Sequence, residues 1–180
     1  MLVSLVVLVV VVGIAFFAWK HTATPTTQPS QDQTAFDGKN ATFTIASSSV
    51  TLANGVSQVP IANSSATVTT RYFGNEATGD LNGDGLPDTA FLITQDIGGS
   101  GLFYYAVVAL KTKEDYQTTN AVLIGDRIAP QSTYIPTNSQ ELQVNYADRN
   151  PGEPMTTKPS AGKTLLLKVT SNGVLEGLMK

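Results

Sequence analysis

From about residue 40 onward the chain runs through Thr, Val, Ile, Tyr and Phe in short stretches broken by Gly, Asn and Pro, and hardly any stretch repeats its apolar residues at helical spacing. A chain of this kind can bury a core only by pairing strands, so the expected fold is all-β. Ten strands are predicted, over 41–46, 49–53, 66–73, 88–95, 102–111, 120–125, 132–136, 140–147, 163–170 and 173–178. The run "LFYYAVVAL", 102–110, is apolar on both faces and reads as a central strand covered on each side, whereas "ELQVNYA", 141–147, alternates and reads as half exposed. Two such strands imply stacked layers. "GGSG" at 98–101 and "SNG" at 171–173 are turn signals between paired strands, which predicts a mainly antiparallel meander forming a sandwich or an open barrel. The polar run "KTKEDYQTT", 111–119, is where a short helix or a long loop is expected to intrude.

One segment stands apart chemically. "GDLNGDGLPDTAFLI", 79–93, fits D-x-N-x-D-G-x-x-D. Calcium loops take oxygen ligands from positions one, three, five and nine, a backbone carbonyl from position seven, and a sharp turn at position six that favours glycine. Here those positions are Asp80, Asn82, Asp84 and Asp88, then Leu86, then Gly85. Three carboxylates in one tight loop repel one another unless a cation joins them or the loop stays open. The expected cofactor is therefore Ca2+, since Mg2+ demands stricter octahedral geometry. A bare Asn-Gly and Asp-Gly turn is the simpler alternative, because turns select the same residues.

The loop resembles the calcium loops of FG-GAP repeats and, more loosely, those of dockerins and thrombospondin type 3 repeats. The resemblance spans about fifteen residues and implies calcium binding rather than any one activity. It departs from an EF-hand at position twelve, where Phe91 stands in place of a bidentate Glu. Gly74 and Gly79 before the loop also disfavour an incoming helix. A loop joining two strands fits better. A single loop cannot make a propeller, however. The wording of "GDLNGDG", "GGSGLFYYAVVAL", "LIGDRIAPQ" and "YADRNPGEPM" is also similar to that of uncharacterised exported or membrane-anchored bacterial proteins, a likeness that implies a secreted single domain.

The start of the chain points the same way. Residues 2–19 carry no charge and as a helix would span about 27 Å, close to the hydrocarbon thickness of a bilayer. Residues 1–21 are thus expected to be one N-terminal transmembrane helix, an anchor or an uncleaved signal, with Trp19, Lys20 and His21 at the interface. Lys20 taken alone would put the domain in the cytoplasm. The Thr/Pro/Ser/Gln-rich segment 22–38 reads instead as a stalk holding a domain, 39–180, off the outer surface. Asn40-Ala-Thr42 and Asn63-Ser-Ser65 match the N-glycosylation pattern.

Other chemistry is excluded or unmarked. No Cys is present and the one His is His21, so thiolate chemistry and a His-dependent triad or zinc site are ruled out for the domain. A net charge of −3 with scattered Lys and Arg excludes nucleic acid as a partner. "AGKT", 161–164, lacks the P-loop glycine, since Thr157 stands at its place. "GGSG" is not a nucleophile elbow, because Leu102 stands where Gly is needed. "GDRIAPQ" and "YADRNPGEP" place Asp126, Arg127, Asp148, Arg149 and Glu153 in or beside loops, with Tyr146 as a stacking face. Such a patch can bind a carboxylate or sugar hydroxyls, or can be ordinary surface pairing.

The sequence leads to a membrane-anchored extracytoplasmic β-domain of the cell envelope with one structural calcium site, serving binding or adhesion toward an envelope glycan or protein. The alternatives are an envelope glycan or peptide hydrolase working through carboxylates or a Ser-Lys pair, and an accessory subunit of an envelope complex.

Overall fold

The computed structural model describes residues 35–178. A single 3-10 turn, Gly38–Asn40, leads into β1 (Thr42–Ile45), β2 (Ser48–Thr51), β3 (Val56–Pro60), β4 (Thr67–Gly79), β5 (Asp88–Asp96) and β6 (Phe103–Lys111). The chain then forms β7 (Tyr116–Thr118), β8 (Val122–Asp126), β9 (Ala129–Tyr134), β10 (Glu141–Asp148), β11 (Ala161–Val169) and β12 (Leu175–Gly177). The anchor expected at 1–21 and the stalk up to residue 34 lie outside the described residues. Among those described, no helix is long and apolar enough to cross a membrane.

Strands β3, β4, β5 and β6 pair in sequence order and antiparallel, and the far edge of β6 is shared by β8 along its first half and β7 along its second. A second antiparallel sheet runs β12-β11-β10-β9, and β1 and β2 form a separate hairpin. The expected all-β, antiparallel fold is found, and neither sheet closes into a barrel.

Alternation along β5 and β6 explains the layering. Side chains of a strand point to opposite faces in turn. Ala90, Leu92, Ala106, Val108 and Leu110 face one side and meet Leu142, Val144, Leu167 and Leu175 of the second sheet. Phe91, Ile93, Val107 and Ala109 face the other and meet Phe43, Ile45 and Leu52 of the hairpin region. The middle sheet is covered on both faces, as the two-sided apolar run at 102–110 predicts. Strand β10 buries every second residue from Leu142 to Tyr146, as its alternation predicts. Each fully buried Leu, Ile or Phe contributes roughly 1.5–3 kcal/mol relative to exposure, so these two clusters dominate the fold's stability.

Several elements differ from the sequence expectation. Residues 111–119 hold no helix but the β6–β7 hairpin, with Lys111 opposite Tyr116 and the turn closed by the Thr112 amide donating to the Asp115 carbonyl at 2.8 Å. Strands β3 and β7 are additional. The folded unit also starts earlier than residue 39, because the Phe36 ring lies 5.6 Å from that of Phe91 and 5.0 Å from that of Tyr116. Strand β4 runs six residues past its expected end at 73, through register shifts around Gly74 that bring Asn75 to a φ of 55°. Bulges of this kind bend and twist a strand without ending it. The extension carries the chain to the edge where the acidic loop begins.

Candidate functional site

The loop 80–87 joins β4 to β5, and the flanking residues Gly79 and Asp88 are themselves cross-strand partners. It therefore connects two adjacent antiparallel strands. Its side chains shape it from within. Asp80 Oδ1 accepts the amides of Gly83 at 2.7 Å and Asp84 at 3.2 Å, while Oδ2 accepts that of Gly85 at 2.9 Å. Asn82 Oδ1 accepts the Asp84 amide at 3.0 Å, Asn82 Nδ2 donates to Asp84 Oδ2 at 3.0 Å, and Asp84 Oδ1 accepts the Leu86 amide at 2.8 Å. Gly83 and Gly85 both sit at φ 82°, the left-handed region that side chains other than glycine enter at a cost.

Asp88 differs from the other three. It is 0% exposed, and each of its oxygens takes one backbone amide: Oδ1 that of Lys111 at 2.8 Å, at the end of β6, and Oδ2 that of Leu81 at 2.9 Å, inside the loop. Burial pushes its carboxyl above the ordinary 3.8, against the two amides that favour the ionised form, and the nearby charges of Asp84 and Asp80 push the same way. Asn82 and Asp84 are exposed and Asp80 is half-buried.

The donor set is chemically suited to a hard cation: carboxylates, one amide oxygen and one carbonyl on a nine-residue span. Its geometry is that of a loop organised by its own amides. Among the described residues no three acidic or imidazole side chains gather as a ready-made metal cluster. The carboxylate oxygens of Asp80, Asp84 and Asp88 are instead taken by backbone N–H groups and, at Asp84 Oδ2, by the Asn82 side-chain amide. Asp80 Oδ1 already accepts two amides, whereas Asp80 Oδ2 and the oxygens of Asp84 and Asp88 accept one donor each and keep a second lone pair. Position twelve supplies nothing, since Phe91 is fully buried against Phe43 and Tyr72.

The second group of expected residues is brought together only in part. Arg127 Nη2 lies 2.9 Å from Asp126 Oδ2, and Asp126 Oδ1 accepts the Leu102 amide at 2.9 Å. Arg149 Nη1 donates to the Arg127 carbonyl at 3.0 Å, and Lys163 Nζ lies 2.7 Å from Asp148 Oδ2. The hydrogen bond from Arg127 holds the Asp126 carboxyl below its ordinary value, and that from Lys163 does the same for Asp148. Glu153 instead closes its own turn, taking the Asn150 amide at 2.7 Å. Tyr146, expected as a stacking face, is 9% exposed and packs in the core between the sheets, so its ring serves packing. Its place in the alternation of β10 decides this.

Sequence reasoning missed the surroundings of the acidic loop. Gln117 on β7, Gln140 before β10 and Asn172 in the β11–β12 turn line depressions against it. Nothing in their local sequence marks them, because they come from three segments far apart in the chain. The chain matches no protein-family model, no curated protein and no solved structure, so the residues themselves carry the functional argument.

Proposed function

We propose that this protein is a calcium-stabilised binding module, presented on the outer face of a membrane by the apolar residues 2–19 and serving adhesion or recognition at the cell envelope. The observation that carries the calcium reading is Asp88. A carboxylate that is fully buried, tied to the amides of both the loop and β6, and pushed up chiefly by that burial with Asp84 and Asp80 adding to it is one that a nearby cation would relieve. Residues Asp80, Asn82 and Asp84 with the Leu86 carbonyl would hold the ion, with Asp88 as anchor and ninth-position ligand. Calcium would supply charge neutralisation, so its binding free energy would become folding free energy.

At the loops beside β8 and β10, the carboxylates Asp126 and Asp148 favour binding over hydrolysis. A glycosidase needs one carboxyl held protonated as general acid. Asp126 and Asp148 are both held in the ionised form by cationic neighbours, and Asp88 is closed off from any substrate.

The test is a thermal melt of the full-length chain in detergent, with calcium and with chelator. Calcium at a hundredfold excess over Kd is expected to stabilise by about 2.7 kcal/mol, a rise in Tm of roughly 5–11 °C for a chain of this size. Asp84→Ala is expected to abolish the response. Identical melting in calcium and chelator would refute the metal reading.

A further inference from the structure

The acidic loop does not stand alone on its edge of the molecule. A groove of about 600 Å³ runs along one side of it and a second of about 500 Å³ along the other, and the two share Gly83 and Gln140. Gln140 is the wall between them. It packs over Gly83: a Cβ at that position would lie 2.3 Å from Gln140 Nε2, so the flexible amide would have to move aside.

The walls are mainly polar, with Leu110 and Val169 as the apolar part of the first groove and Ile135 and Pro136 of the second. Gln117, Gln140, Ser171 and Asn172 line the first groove, and Thr137 and Asn138 join Gln140 in the second. All six residues are exposed, which leaves their side-chain amides and hydroxyls open to a ligand. Their neighbours Ser139 and Thr170, by contrast, are used on the backbone amides of Glu141 and Val174. Neither groove is lined by an aromatic ring, a Lys or an Arg.

The geometry points to a binding site for a neutral, linear oligosaccharide lying across Gln140, with its hydroxyl groups taken by the amide and hydroxyl side chains. An amide offers a donor and an acceptor side by side, which matches the paired hydroxyls of a sugar. Asp80 and Asp84 in the walls disfavour an anionic ligand, and the missing cations remove what would recognise a phosphate or carboxylate. Two adjoining grooves suit a chain of several sugar units better than a single one. This site names the ligand class of the binding module proposed above and rests on that reading. It does not use the Asp126–Arg149 patch.

The test is a binding screen of the full-length chain in a detergent without sugar headgroups. The probes are linear hexasaccharides of glucose, mannose, galactose and N-acetylglucosamine, with polygalacturonate as the acidic control, and hits are titrated by calorimetry. At least one neutral series is expected to bind saturably. Gln140→Ala and Asn172→Ala, both exposed, are expected to weaken it about tenfold with Tm unchanged, while Arg127→Ala leaves it intact. Failure of every neutral probe, or hits that bind both groove variants as tightly as the wild type, overturns the site. Binding of polygalacturonate alone also overturns it but leaves the binding-module reading standing, whereas no binding to any probe removes support from both. Repeating the titration in chelator separates calcium from recognition, because sugar binding that survives there upholds the grooves whatever the fate of the ion.

Discussion

Asp88 bridges two backbone amides that lie far apart in the chain, those of Leu81 and Lys111, and it does so with no access to water. Asp88→Asn keeps the shape but turns an NH2 group toward one of those amides, leaving a buried donor without an acceptor. The substitution is expected to lower the unfolding free energy by about 1–3 kcal/mol. Urea unfolding with an unchanged m-value checks it, and an unchanged midpoint would show that the carboxylate is no anchor. Asp84→Ala, at an exposed position, is expected to cost about 0.5 kcal/mol or less in the absence of calcium. The spacing of Asp80, Asn82, Asp84 and Asp88 was legible in the sequence. That the ninth position is buried was not, because its partner Lys111 arrives from the far end of a neighbouring strand. Tyr146 shows the same difficulty from the other side: its loop-like neighbours suggested exposure, while the alternation of its strand buries it.

At the scale of elements, the three layers are clipped together at the segment before β8. The Asn120 side chain donates to the Leu175 carbonyl at 3.0 Å and accepts the Leu175 amide at 2.9 Å, so it pairs with β12 as a strand residue would. The next residue, Ala121, donates its amide to the Thr44 carbonyl at 2.7 Å and so holds β1. Asn120→Ala leaves both polar groups of a buried residue unpaired and is expected to cost about 1–3 kcal/mol. Amide hydrogen exchange would detect it locally, as lost protection at Leu175. The hairpin layer depends on packing instead, and Phe43→Ala is expected to cost about 3–5 kcal/mol. A loss under 1 kcal/mol would mean that β1 and β2 only rest on the sheet. Strands with an apolar face were readable in advance. Strand β3 was not, since "VSQVP" is an edge segment with little to bury and a terminal Pro, and β7 was hidden in a charged run. Pairing with a neighbour makes each of them a strand, and pairing leaves no local trace.

For the whole molecule, the acidic loop and the paired carboxylates near β8 and β10 pull the pH dependence in opposite directions. Burial raises the Asp88 carboxyl above its unfolded value of 3.8, so between that value and its folded pKa the native state binds more protons than the unfolded one. Stability therefore falls as pH rises through that window, and acidification from neutrality is stabilising there. Asp126 and Asp148 are depressed, chiefly by hydrogen bonds from Arg127 and Lys163. Their contribution is present above the ordinary carboxylate value and is lost as pH falls through their folded pKa values. Both are partly exposed, with side chains at 27% and 28%, so screening by solvent keeps that contribution small. The expected profile in chelator rises on mild acidification, peaks near the ordinary aspartate value and declines below it. A cation among Asp80, Asp84 and Asp88 favours their ionised forms, so calcium is expected to erase the acid-side rise, and Asp88→Asn to erase it without calcium. Unfolding free energies measured between pH 3 and 8 for the wild type and Asp88→Asn check this, and a rise that persists in the variant would place its origin away from the loop.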